Sequence, residues 1–171
     1  MKTSAELKHE SHEAVGRMLN LLLADEYLLY QITRDYHWNV SGTDFFSRRL
    51  LFQLQHDAAT KWVDEVTERI REMRLDARIS WADLKESARC SAASGFGLAA
   101  DSMLAELLRA HEDIIAHLRS DTEVCRLRFG DASTAGFLAG MIEQHENAAW
   151  MLRTQLDTPE VNPLQFSASL N

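Results

Sequence analysis

Apolar residues recur along this chain at steps of three and four, the period of a helix packed on one side. No two-residue alternation of a half-buried strand competes with it. The first periodic stretch runs from about Ser4 to Trp38 and carries Val15, Met18, Leu19, Leu22, Tyr27 and Tyr30. It stops where Asn39 and Gly42 supply turn chemistry. The second runs from about Asp44 to Arg74, with Asp44 or Ser47 as its cap and a stripe of Leu51, Leu54, Ala58, Trp62, Val66, Ile70 and Met73. A short helix follows from Ser80, its N-cap, to about Cys90, and then a loop of small residues. The third long stretch begins after a cap at Asp101 and carries Leu104, Leu107, Leu108, His111, Ile114, Ile115 and Leu118. The fourth, from about Ser133 to Asp157, carries Leu138, Met141, Ile142, His145, Ala149 and Leu152.

Four long amphipathic helices with a short one in the middle connection predict an all-α fold, a four-helix bundle with a long crossover between the second and third long helices. A chain of 171 residues is the length of one domain. Its two prolines, Pro159 and Pro163, lie near the end, so nothing before them forces a helix break. The division expected is a bundle over 1–157 and an extended tail over 158–171.

Charge narrows the classes of function. The net charge of −8 repels phosphate backbones, and neither end holds a basic block, so DNA binding is not expected. The longest apolar run, Leu19 to Ala24, is interrupted by Asn20 and is far too short to span a bilayer. With no apolar leader and two widely spaced cysteines, Cys90 and Cys125, read as reduced thiols, a cytoplasmic protein is expected.

The second helix carries a polar stripe as well: Arg49, Gln53, Asp57, Thr60, Asp64 and Glu68. It is split by charge. Arg49 and Gln53 stand at one end, Asp64 and Glu68 at the other, with Ala58 and Ala59 midway. Two copies paired antiparallel about those alanines would set 49 against 68 and 53 against 64, the arithmetic of a twofold interface.

The run His37-Trp38-Asn39-Val40-Ser41-Gly42, followed by Phe45 and by Asp64-x-x-x-Glu68-Arg69, resembles the signature of the Dps family, the miniferritins. The later stretches Gly130-Asp131-x-x-Thr134-Ala135 and Glu143-Gln144-His145-Glu146 are similar to the last helix of that family. The resemblance implies a ferritin-like bundle in a hollow twelve-subunit cage, a homo-oligomer with a twofold contact through the second helix. It implies an iron site between two subunits, where Fe²⁺ is oxidised by hydrogen peroxide or dioxygen before storage as mineral.

Carried over residue by residue, the implied metal ligands are His37 and, from the twofold partner, Asp64 and Glu68. Where the family has a second His and an Asp, this chain has Arg49 and Gln53. An arginine cannot be deprotonated and cannot ligate iron. Two readings stay open. One is an iron-sequestering Dps-like protein with a reduced ferroxidase centre of His37, Asp64 and Glu68. The other is a cage without ferroxidase activity, whose Arg49 and Gln53 hydrogen-bond Glu68 and Asp64 across subunits as a polar lock.

Other candidates are weaker. His56, beside the stripe, and Asp57, on it, are substitute ligands, and His9, His12 and Glu13 form a candidate accessory metal cluster near the N-terminus. Trp38 and Trp62 are expected near the metal position. The threefold pore positions fall on Arg128, Ala132 and Gly136, with Asp131 out of phase, so no acidic ring is evident. His111 and His145 fall on apolar stripes and read as core residues with satisfied hydrogen bonds. An iron site inside one bundle would need Glu-x-x-His motifs, which the second and fourth long helices lack.

Overall fold

The computed structural model describes residues 4–157 and contains five helices: α1 (Ser4–Asn39), α2 (Phe45–Glu72), α3 (Trp81–Ser87), α4 (Ala100–Leu127) and α5 (Ala132–Leu156). The expected tail lies outside the described residues. α1 pairs with α2 and α4 with α5, while α3 packs on α1 within the crossover and α1 also meets α4. The four long helices close over one core, in which Leu19, Leu22, Leu29, Phe52, Ile70, Leu104, Leu107, Ile114 and Leu118 are completely enclosed. Among the described residues no strand is present, and no helix is long and apolar enough to cross a membrane.

The helix boundaries correct some expectations. Asp101 does not cap α4; the N-cap is Ala99, and Asp101 lies in the first turn, where it pairs with Arg48. Asp44 precedes α2 but makes no side-chain cap bond. Asp131 does cap α5, accepting from the Thr134 N–H at 2.9 Å. Leu54 lies outside the apolar face, half exposed at 51%, because the inner face of α2 runs through Phe52, Gln55, Ala59, Trp62, Val66 and Ile70.

The short helix stops at Ser87 rather than near Cys90, and Asp25 supplies the reason. This completely buried carboxylate of α1 accepts the backbone N–H groups of Arg89 at 2.7 Å and Cys90 at 3.2 Å. Those two groups are drawn out of helical pairing. The Arg89 side chain adds Nε to Asp25 at 2.8 Å and extends to Asp121 of α4 at 2.9 Å. A buried carboxylate is tolerated only with such partners. One guanidinium thus ties α1, the crossover and α4 together. Further along, the buried Tyr36 hydroxyl donates to the Ala93 carbonyl at 2.8 Å, and Asp35 accepts from the Gly95 N–H at 2.6 Å. A Cβ on Gly95 would lie 2.9 Å from the Tyr36 ring, so the close approach needs glycine.

Polar groups also sit at the centre of the bundle. His111 Nδ1 lies 3.0 Å from His145 Nδ1, and His145 Nε2 lies 2.9 Å from Glu26 Oε1. With one proton on each ring, His111 donates to His145 and His145 donates to Glu26. Both histidines are core residues, as their places on the apolar stripes imply, but His111 Nε2 is buried without a hydrogen bond, so the expected satisfaction is complete only at His145. Trp62 is found here too, its ring 4.4 Å from that of His145 and its Nε1–H donated to Gln144 at 2.6 Å. That corrects its expected place near the metal position. The inner stripe of α2 carries Trp62 away from the polar one.

Removing the crossover tie leaves Asp25 buried without its counter-charge. Arg89→Ala is expected to destabilise the fold by about 3–5 kcal/mol, read as a lower urea midpoint. The bundle centre gives a pH dependence. Burial, and then the neighbouring His145, hold the His111 pKa well below the ordinary 6.5. Below that pH the unfolded chain takes up a proton that folded His111 refuses, so stability is lost as pH falls from 7 towards 5. The slope from this group approaches about 1.4 kcal/mol per pH unit. Thermal unfolding of His111→Gln across that range is expected to show a flatter slope; an unchanged slope would assign the effect elsewhere.

Candidate functional site

The site forms where α1 turns into α2. The Val40 N–H closes the last turn of α1 on the Tyr36 carbonyl at 2.9 Å, and Gly42, at φ 116°, reverses the chain. The reversal places His37, in the last turn of α1, beside Arg49, in the second turn of α2. His37 Nδ1 lies 3.2 Å from the Arg49 carbonyl oxygen, and Arg49 Nε lies 3.3 Å from His37 Nε2. One tautomer satisfies both contacts. Nδ1–H donates to the carbonyl, and the Nε2 lone pair accepts from the guanidinium.

Aromatic rings hold the guanidinium in place. Its carbon lies 4.9 Å from the Trp38 ring centre and 5.5 Å from that of Phe45. Trp38 is itself 61% exposed and stands edge-on to His37. Arg49 is therefore fixed on three sides by its own chain: the imidazole, the indole and the phenyl ring.

The rest of the stripe runs along the outside of α2. Gln53 donates to Asp57 at 2.7 Å, one helical turn away. Asp64 and Glu68 are exposed. They lie 15 and 19 positions beyond Arg49, roughly 22–28 Å along the helix at 1.5 Å per residue. One chain therefore brings His37 and Arg49 together but cannot bring Asp64 or Glu68 to them. His56 turns inward, its Nδ1 3.3 Å from the Tyr30 carbonyl and 3.3 Å from the Thr33 hydroxyl. Burial lowers its pKa, and its ring faces Tyr30 of α1 rather than Asp57.

Near the N-terminus, His9 meets Glu13 at 3.3 Å, whereas His12 Nε2 lies 2.9 Å from the Met73 carbonyl, at the far end of α2. At the start of α5, Asp131 is engaged by the N–H and hydroxyl of Thr134. Burial works against its charge, but those hydrogen bonds outweigh it and hold the carboxyl below its ordinary range. The Arg128 guanidinium lies over the Phe129 ring.

This geometry does not fit an iron site at His37. The lone pair that would coordinate a metal accepts a hydrogen bond from Arg49, and a permanent cation stands at hydrogen-bond distance from it. Sequence reasoning set Arg49 against a carboxylate of another subunit and missed its bond to His37. The signal was present in the spacing. Arg49 follows His37 by twelve positions across a tight turn, and that turn brings the two side chains together.

The sequence profile of the ferritin-like domain matches residues 17–161. The chain is 34% identical over 163 residues to an uncharacterized low temperature-induced protein of a Nostoc species, an alignment covering 92% of this chain and 88% of that one. It is 26% identical over 148 residues to DNA protection during starvation protein 2 of Bacillus anthracis, covering 85% of this chain and 99% of that one. Among solved structures, Dps from Thermosynechococcus elongatus superposes with a TM-score of 0.83 at 26% identity, covering 90% of this chain and 96% of the other. With a profile match over most of its length, relatives that span nearly all of it and a close superposition on a solved Dps structure, the chain belongs to the Dps family of ferritin-like proteins.

Proposed function

We propose that this chain is the subunit of an iron-sequestering Dps-type cage in which the oxidation centre between subunits has been closed by Arg49. The observation that carries the reading is the 3.3 Å contact from Arg49 Nε to His37 Nε2. Iron is the cargo of such a cage, and its entry into the family's site needs an imidazole with a free lone pair among hard carboxylates. Here that lone pair is engaged and a guanidinium fills the neighbouring space.

In the assembly, two copies of α2 pair antiparallel about Ala58 and Ala59. Arg49 keeps its Nε on His37 and turns its remaining donors to Glu68 of the partner subunit. Gln53, already donating to Asp57, uses its second amide hydrogen on Asp64 of the partner subunit. The acidic end of each stripe, exposed in one chain, is then neutralised by the other. The contact that held a metal in relatives becomes an ionic clasp that favours assembly and disfavours Fe²⁺. A cage of twelve such subunits carries a strongly negative surface and does not bind DNA at neutral pH and moderate salt.

The test is Fe²⁺ addition to the purified protein, with and without peroxide, followed at the ferric absorbance band. The natural protein is expected to oxidise iron no faster than buffer. Arg49→His with Gln53→Asp, which restores the family's ligand types, is expected to oxidise it at least about tenfold faster, the scale on which site ligands and their supports act. Rapid oxidation by the natural protein, with soluble iron retained beyond two per subunit, would instead support a working centre of His37, Asp64 and Glu68.

A further inference from the structure

A second set of chemically capable side chains lies at the crossover, away from the α1–α2 turn. Asp25 from α1, Cys90 from the segment after α3 and His117 from α4 come together from three separate elements. One ligand atom of each lies within 4.8 Å of the other two. No other trio of His, Cys, Asp and Glu does so among the described residues. Asp25 is 0% and Cys90 7% exposed. His117 Nδ1 is buried and makes no hydrogen bond.

That nitrogen is the informative atom. Buried polar groups in folded proteins have partners, and an orphan asks for one. The ring that carries it lies beside a thiol and a carboxylate. The carboxylate is already engaged by its neighbours. Asp25 accepts three hydrogen bonds, from Arg89 N, Arg89 Nε and Cys90 N. Arg89 NH2 also lies 2.8 Å from Oδ2, but it makes no aligned hydrogen bond. The Cys90 thiol adds a hydrogen bond of its own to the same carboxylate, and its proton is the one a metal ion would replace.

We propose that Asp25, Cys90 and His117 form a zinc site that locks the crossover to α1 and α4. One carboxylate oxygen, one thiolate and one imidazole nitrogen are the donor types that tetrahedral Zn²⁺ takes, and a hard-oxygen cation would not choose the sulfur. Three protein ligands leave a fourth position for water. A groove of about 350 Å³, lined by Tyr27, Leu84, Lys85 and Cys90 among others, opens beside the cluster and offers the ion a way in.

The binding step balances simply. The Cys90 thiol releases one proton to solvent, its sulfur lone pair forms the Zn–S bond, and no oxidation state changes. Formal charge agrees. Asp25 and Asp121 together carry two negative charges against one positive on Arg89. Zn²⁺ with a thiolate adds one net positive charge and makes the cluster neutral. Both Arg89 and Cys90 already hang on Asp25, so the ion would tighten the tie that fixes the crossover.

Cobalt(II) is the probe, added to the assembled full-length protein after chelator treatment. The expected result is a near-ultraviolet thiolate-to-cobalt band with intense visible bands of tetrahedral Co²⁺, saturating at one per chain and bleached by Zn²⁺. Cys90→Ser is expected to abolish the thiolate band, and Cys125→Ser to leave it intact. His117→Gln, which keeps both thiols, is expected to lose the tetrahedral intensity. Zn²⁺ is expected to raise the Tm of the natural protein and not that of Cys90→Ser. No thiolate band in the natural protein, or a band unchanged in Cys90→Ser, would overturn the proposal. Should Cys90→Ser fail to fold, an unchanged cobalt spectrum in His117→Gln would overturn it equally.

Discussion

Five residues turn the chain from α1 into α2, and the register they set makes His37 and Arg49 neighbours whatever else the molecule does. The backbone half of that contact, His37 Nδ1 to the Arg49 carbonyl, belongs to the turn and needs no particular side chain at position 49. It orients the imidazole with Nε2 outward, as a metal ligand must be oriented. In this chain the group waiting there is a guanidinium. A positive charge that cannot be released stands at hydrogen-bond distance from that nitrogen, and two aromatic rings hold it in position.

Buried polar groups with assigned partners recur elsewhere in the bundle. Asp25 ends α3 early, organises the crossover and recruits Arg89 to bridge to α4. Glu26, its neighbour on α1, points to the other side and meets the His145–His111 pair at the centre. Adjacent acidic residues, about 100° apart around one helix, therefore anchor two separate layers. The apolar core supplies most of the folding free energy, while these contacts select which helix faces which.

Much of the fold was legible in the sequence because helical periodicity is a local signal. All five helices were expected, with ends within a few residues. The misplaced ends have physical causes that no local pattern carries. Asp25 stops α3 from a distance of some sixty residues, and Asp101 is drawn to Arg48 rather than to a cap. The polar stripe of α2 was legible, and its residues lie off the buried face of that helix. The direction of Arg49 was not, because it depends on the tight turn and on the ring of Trp38. Nor was the place of Trp62, since position 62 serves the inner stripe and only the packed bundle shows His145 beneath it. The Asp25–Cys90–His117 group was invisible to spacing, for its members stand on three elements more than twenty residues apart.

The central claim is that Arg49 occupies the metal position through its bond to His37. It is tested most directly by crystals of the assembled protein soaked anaerobically in Fe²⁺, with anomalous maps recorded at the iron edge. No iron peak is expected at coordinating distance from His37 Nε2, with Arg49 still donating to that atom. An iron peak bound by His37 together with Asp64 and Glu68 of the partner subunit, with the Arg49 side chain swung aside, would contradict it.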